Sequence, residues 1–422
     1  MHGSKIGGGI AIAAALVLAA VPAASAIPAG AATAATAATV APAAPASADA
    51  APTATGWTAV SAPPQGQNAF LVAAASTADA DAWAVGSQGG AATTNLGSKV
   101  LIDHWNGSAW TQATAPTIAF PTAGLDAVSA SGPNDAWAVG QMRQQRYQFN
   151  PLALHWNGSA WSPVSISVLG STTVVGVADI SPTDAYAFGT WTHDGQAAHW
   201  DGTAWTNFSP PQPDNNNMGG ALTAISADGP DDVWMTGSAL EQIGANAYQY
   251  EPYSVHWNGS AWSLVPMPTV GSSNVNAVDN LYGLKANSPT DVWAVGTAGV
   301  IGTTGSYSTL IEHWNGTVWT KVPSPNTGTD PLLHAVTTAN AANSVWAVGD
   351  SVIPGTTQRQ SLTLHWNGST WSIVPSPNAP GLPTTLSGVT TTPGASIVHA
   401  VGYSNSLSST APVYNPFAMR NG

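Results

Sequence analysis

The chain has 422 residues, no cysteine, a formal net charge of −13 and only 7% charged residues. The acidic balance argues against nucleic acid and anionic lipid as partners. The lack of thiols excludes a disulfide framework, cysteine lipidation and thiol catalysis, so core packing alone must hold the fold.

Met1–Ala26 reads as a secretory signal. Lys5 lies in the n-region, an apolar run spans Ile10–Ala20, and Ala24-Ser25-Ala26 is an A-x-A cleavage site. No later apolar stretch approaches about 18 residues, so no membrane insertion is expected once the leader is removed. Residues 27–55 are almost entirely Ala, Thr and Pro, too poor in large apolar groups to bury a core, and are expected to be a disordered linker. Residues 56–422 form the remaining domain. This arrangement predicts a secreted, extracellular protein.

That domain is repetitive. His104-Trp105-Asn106-Gly107-Ser108-Ala109-Trp110 returns as His155–Trp161, His199–Trp205, His256–Trp262, His313–Trp319 and His365–Trp371. Asn-Gly is a strong hairpin signal, and a type I′ turn with positive φ at both central residues is expected at each tip. Upstream of each copy stands a second element, Asp81-Ala82-Trp83-Ala84-Val85-Gly86, returning at Asp135, Asp184, Asp232 and Asp291 and, altered, at Ser344 and Ile397. A period of about fifty residues with paired strand signatures predicts a radial repeat fold. In the unit Leu281–Pro325, strand a is Leu281–Ala286, strand b Asp291–Gly296, strand c Thr309–Trp314 and strand d Val318–Val322. Asn287-Ser288-Pro289-Thr290 suits a type I turn between a and b. The last unit lacks strand d, whereas Gly56-Trp57-Thr58-Ala59-Val60 is an orphan strand d. Pairing it near Val413–Phe417 would complete an all-β, seven-bladed β-propeller of four-stranded antiparallel blades, closed by an N-terminal outer strand.

The alternation of Asp-Val-Trp-Ala-Val-Gly with His-Trp-Asn-Gly-x-x-Trp resembles a kelch or Asp-box propeller repeat, over Gly56 to about Phe417. It departs from kelch in its single strand-b glycines, Gly140 and Gly296. The resemblance implies the fold; propellers host unrelated functions.

Of the 19 tryptophans, all but Trp191 fall at positions repeated from unit to unit, which predicts packing between blades. The repeated histidines lie one per blade, too far apart to share a metal, and no metal or cofactor is expected. Antiparallel pairing instead brings each strand-c His to the strand-b Asp. This predicts hydrogen bonds Asp81–His104, Asp135–His155, Asp184–His199, Asp232–His256 and Asp291–His313. The Asn-Gly-Ser/Thr tips are formal glycosylation acceptors, but the turn already accounts for them.

The a–b and c–d turns share one face; the long b–c and d–a connections, different in every unit, share the other. Binding residues concentrate on such loops. The predicted ligand site therefore comprises Arg143, Tyr147, Trp191, His193, Asp194, Tyr248 and Tyr250 on b–c loops. Asp126, Tyr282 and His334 join them at the channel mouth, at matching positions with Val72, Val175, Thr223 and Ser387. The expected function is a monomeric, non-catalytic binding or scaffold protein for a polysaccharide, a cell-wall component or a cell-surface protein. The alternative is a glycoside hydrolase or lyase with a carboxylate pair drawn from Asp126, Asp194, Asp214, Glu241, Glu251, Asp279 and Asp330. A copper oxidase of the galactose oxidase kind would need a cysteine. A sialidase would need three convergent arginines, and only Arg143, Arg146, Arg359 and Arg420 follow the leader.

Overall fold

The computed structural model describes residues 56–63, 68–89, 97–144, 148–189, 196–213, 220–245, 247–269, 276–303, 305–339, 343–392, 397–406 and 413–422. The fold is all-β, built from antiparallel four-stranded units. In the first unit the strands are Phe70–Ala78, Asp81–Gln88, Lys99–Trp105 and Trp110–Gln112. The second has Thr122–Gly132, Asp135–Arg143, Phe149–Trp156 and Trp161–Val164. The third has Val174–Ser181, Asp184–Gly189, Ala197–Trp200 and Trp205–Phe208. The fourth, Gly220–Gly229, Asp232–Gly244, Ala247–Trp257 and Trp262–Val265, joins the fifth, Ala277–Ser288, Asp291–Val300, Ser308–Trp314 and Trp319–Lys321. A parallel bridge from Tyr250 to Val278 makes these two a single eight-stranded sheet. The sixth has Thr329–Thr338, Val345–Val352, Arg359–Trp366 and Trp371–Ile373.

The last unit, Thr384–Thr391, Val398–Asn405 and Tyr414–Asn421, takes its fourth strand, Thr58–Val60, from the start of the domain. The orphan strand does complete this sheet, but its register differs from the expected one. Thr58, Ala59 and Val60 face Arg420, Met419 and Ala418 rather than Val413–Phe417. In every unit strand d pairs with the end of strand c, as Trp110 does with Trp105. The last strand c runs on to Asn421 without the His-Trp-Asn-Gly motif that marks this end elsewhere.

The hairpin tips also differ from expectation. Gly107 has φ 91°, but Asn106 is not among the positive-φ residues, so the turn is not type I′. The loop spans four residues and is closed by the Asn side chain. Asn106 Oδ1 accepts from Ser108 N at 3.0 Å, Ser108 Oγ at 2.8 Å and Ala109 N at 3.0 Å. This Asx-type turn needs only the glycine in the left-handed region. Asp201 replaces the Asn in the third unit with the same three bonds, which hold its carboxyl down to about 2.

All five predicted Asp–His bonds are present, between Nε2 and Oδ1 at 2.5, 2.7, 2.8, 2.7 and 2.7 Å in chain order. Burial opposes ionisation of Asp81, Asp135 and Asp291, yet the histidine bonds together with those from Thr77, Ser131 and Asn287 outweigh it and hold these carboxyls below their usual range. In the sixth unit Ser344 takes the place of the Asp and meets His365 at 2.9 Å. Each histidine also stacks on the strand-b aromatic of its unit, at 4.0 Å for Trp234 and 4.3 Å for Trp83.

The tryptophans pack between units. The strand-d Trp of each unit stands edge-on to the strand-b aromatic of the preceding one. The pairs are Trp161–Trp83, Trp205–Trp137, Trp262–Tyr186, Trp319–Trp234 and Trp371–Trp293, at 5.0–5.8 Å and 77–87°. Trp57 stands so to Trp346 at 5.2 Å, and Trp110 to His399 at 5.7 Å. Nε1 of Trp57, Trp110, Trp161, Trp205, Trp319 and Trp371 has no oxygen acceptor, in keeping with N–H groups aimed at aromatic faces. Adjacent a strands approach closely. A Cβ on Gly283 would lie 2.8 Å from Ala335 Cα, and one on Gly388 2.9 Å from Ala73 Cα, so only glycine fits.

Candidate functional site

Each strand a carries a β-bulge on the side of the long connections. The extra residues are Val72, Asp126, Val175, Thr223, Tyr282, His334 and Ser387, the set expected at the channel mouth. A bulge bends its strand and re-aims the side chain it carries. At four of these positions that side chain is small or apolar. Asp126, Tyr282 and His334 break the pattern.

Asp126 accepts from Gln141 Nε2 at 3.3 Å, and Gln141 Oε1 accepts from Thr173 Oγ1 of the next unit at 3.3 Å. It is partly exposed but largely surrounded by protein, and burial pushes its carboxyl up to about 6. Tyr282 and His334 lie with ring centroids 6.2 Å apart. His334 Nε2 is buried and has no hydrogen-bond partner; Asp350 Oδ1 is 3.8 Å away.

Asp350 anchors a cluster that the sequence reading missed. Its Oδ1 accepts from Arg359 Nε at 2.7 Å and lies 2.5 Å from Arg359 Nη2, while Oδ2 accepts from Thr385 Oγ1 of the last unit at 2.6 Å. Burial opposes its ionisation, but His334 and Arg359 together hold it down to about 2. Burial, and after it the Asp350 charge, pushes the neighbouring Tyr403 hydroxyl up to about 12. A signal existed in the sequence. Asp350 follows the strand-b glycine where other units have Ser87, Gln141, Ser238 and Thr297.

Of the other predicted residues, Tyr147, Trp191, His193 and Asp194 lie outside the described residues. Arg143 ends strand b of the second unit, its guanidinium 4.9 Å over the Phe149 ring. Tyr248 and Tyr250 share one face of a long hairpin with Ser238, whose Oγ reaches Asp279 O of the fifth unit at 3.4 Å. That face turns to the fifth unit, away from the third. The opposite face carries Glu241 and Glu251, which accept from the one Gln249 Nε2 at 3.3 and 2.5 Å. The structure thus joins Tyr282 with His334, and Asp126 with the second and third units; it does not draw Tyr248 and Tyr250 toward Arg143.

Beside the a–b turns, the a strands line a cavity of about 790 Å³. Among the described residues, no three His, Asp or Glu are placed to hold a metal, and no helix is long and apolar enough to cross a membrane.

No protein-family model matches the chain, and no curated protein matches it. Solved structures do. The polysaccharide lyase Uly1 is 10% identical, with a TM-score of 0.50 over 86% of this chain and 91% of its own. YCF48, solved bound to a D1 peptide, is 12% identical, with a TM-score of 0.49 over 85% and 95%. The SapL1 lectin, solved with alpha methyl fucoside, is 14% identical, with a TM-score of 0.43 over 75% and 98%. The structural neighbours are β-propeller proteins, and at these identities the likeness is one of fold.

Proposed function

We propose that the chain is a secreted, non-catalytic binding propeller, with residues 1–26 a leader, 27–55 a linker and 56–422 a closed ring of seven kelch- or Asp-box-like blades. It binds a polysaccharide, a cell-wall component or a cell-surface protein as a monomer, on the face of the long connections. The edge-on aromatic pairs support the ring, because they run in one cyclic order that includes Trp57–Trp346 and Trp110–His399. The observation that carries the binding reading is the polar set among the bulge residues. Asp126, Tyr282 and His334 occupy the bulges at the long-connection ends of their strands, and a buried His334 nitrogen there makes no hydrogen bond, with Asp350 3.8 Å away. Binding is favoured over catalysis because Asp126, Asp279 and Asp350 are each engaged by a neighbouring side chain.

The test is capture of the leader-free chain by insoluble polysaccharides and cell walls. Capture that is lost in His334→Ala and Tyr282→Ala, both still folded, supports the reading; capture unchanged in both refutes it. The enzyme reading keeps one favouring observation, the two carboxylates of Glu241 and Glu251 on a single amide. Release of new reducing or unsaturated ends from a captured polysaccharide, abolished in Glu251→Gln, would decide for it.

A further inference from the structure

The cavity beside the a–b turns takes one segment from each strand a, mostly Ala, Val, Ser and Thr. Lys285 and Asp228 break this lining. Lys285 faces Trp293 in register where the other units have Ala75, Ser129, Ala178, Ser226, Thr337 and Thr390. Its ammonium has no hydrogen bond or ion pair among the described residues; it feels only the Asp228 charge of the fourth unit. Asp228 stands where Thr77, Ser131 and Asn287 each donate to the strand-b aspartate of their own unit. A carboxylate cannot donate to Asp232, so Asp228 is left unengaged at the rim. The two side chains interact across the cavity but do not pair.

A second acid faces the same space. Asp179 Oδ2 accepts from Ser131 N at 2.9 Å, while Oδ1 is buried without a partner. Burial, and then repulsion from Asp135, pushes this carboxyl up to about 8, so at neutral pH it is a neutral donor and does not repel an anion. No aromatic residue lines the cavity among the described residues, so a sugar ring would find no stacking face.

We propose that this end of the channel is a second binding site, for a small zwitterion of the amino-acid class, with its carboxylate on Lys285 and its ammonium on Asp228. Such a ligand supplies each unpaired charge with its opposite through charge-assisted hydrogen bonds. The Lys285 ammonium is under-compensated without it, and Asp228 stands exposed beside it at the rim. Burial lowers the Lys285 ammonium, and burial together with Asp232 raises the Asp228 carboxyl. The site lies at the opposite end of the channel from His334 and is independent of the binding function proposed there.

The experiment is calorimetric titration of the leader-free chain near pH 7 with L-alanine, L-glutamine and L-phenylalanine, then with acetate, methylammonium and glucose. At least one amino acid binds, and acetate and methylammonium bind about tenfold or more weakly than it. Lys285→Thr and Asp228→Asn each cost about tenfold or more. Both should fold, since Thr337 and Asn287 already occupy the corresponding positions, and His334→Ala leaves this binding unchanged. Should a variant fail to fold, the unaltered chain answers through reductive methylation: the bound amino acid protects Lys285 but not Lys99. Absence of binding by all three amino acids, acetate or glucose binding as tightly, unchanged affinity in either folded variant, or no protection of Lys285 overturns the proposal.

Discussion

His399 occupies the strand-b aromatic position of the last unit, where five units have Trp and one has Tyr186. It is 2% exposed, packed against Trp105 and Trp110, with both ring nitrogens buried and unpartnered. Opposite it stands Arg420 rather than the repeated His. Burial, and then Arg420, pushes the imidazole down from 6.5 to about 4. Between those values the unfolded chain binds a proton that the folded one does not, so stability falls as pH drops from 6.5 to 4. The difference integrates to about 3 kcal/mol, at 1.36 kcal/mol per pH unit. His399→Phe removes this loss. At pH 7 it should also stabilise by about 1–2 kcal/mol, because two buried nitrogens no longer go unsatisfied. The assay is denaturant unfolding of both proteins from pH 7.5 to 4. Taking the difference cancels Asp126, Asp179 and Glu312, whose raised carboxyls give the opposite slope in both. The gap between the proteins should widen by about 3 kcal/mol on acidification; parallel curves would refute a buried, neutral His399 at this junction.

Deleting Gly56–Pro63 should expose the edge of strand Tyr414–Asn421 and promote aggregation, read by light scattering; a monomeric, undiminished product would rule out closure by this strand. Trp137→Ala, in the repeated core, should cost about 3–5 kcal/mol, whereas Trp191→Ala should cost little and remove glycan binding. Equal destabilisation by the two would show that Trp191 is one more packing residue. Glu312 is fully buried, its carboxyl oxygens unpartnered, and burial pushes it from 4.5 up to about 8. It is protonated in the fold, so stability falls as pH rises from 4.5 to 8. Glu312→Gln should flatten that decline in thermal melts, and an unchanged slope would place the titration elsewhere.

The repeat made the Asp–His bonds, the aromatic packing and the matching positions at the start of strand a legible, because each depends on residues recurring at one place in every unit. A bond predicted for Asp81 and His104 is then predicted five times over, and a wrong register would have failed in all five. The hairpin turn was misread for a local reason. Asn-Gly favours type I′ by backbone preference, but the Asn106 oxygen collects three donors and closes a longer loop. The last strand c was misplaced because its marker motif is absent, leaving only a weak strand signature in Val413–Phe417.

Asymmetry in such a fold can come only from departures at a shared position, and the chemistry gathers there. Asp350, in a column otherwise of Ser, Gln, Thr and one Tyr, builds the Arg359–Thr385 cluster beneath His334. Lys285 among Ala, Ser and Thr places a lone ammonium in a hydroxyl-lined cavity. Asp228, in a place that calls for a donor, becomes a free carboxylate because it cannot donate to Asp232, whose Oδ2 is left without a partner. His399 puts a titratable ring where packing alone would call for Trp. None of these is a motif, and each has ordinary neighbours in sequence. They emerge only when the units are aligned through the bulge and the strand-b glycine, so the column in which a residue is the exception carries more functional information than the stretch in which it sits.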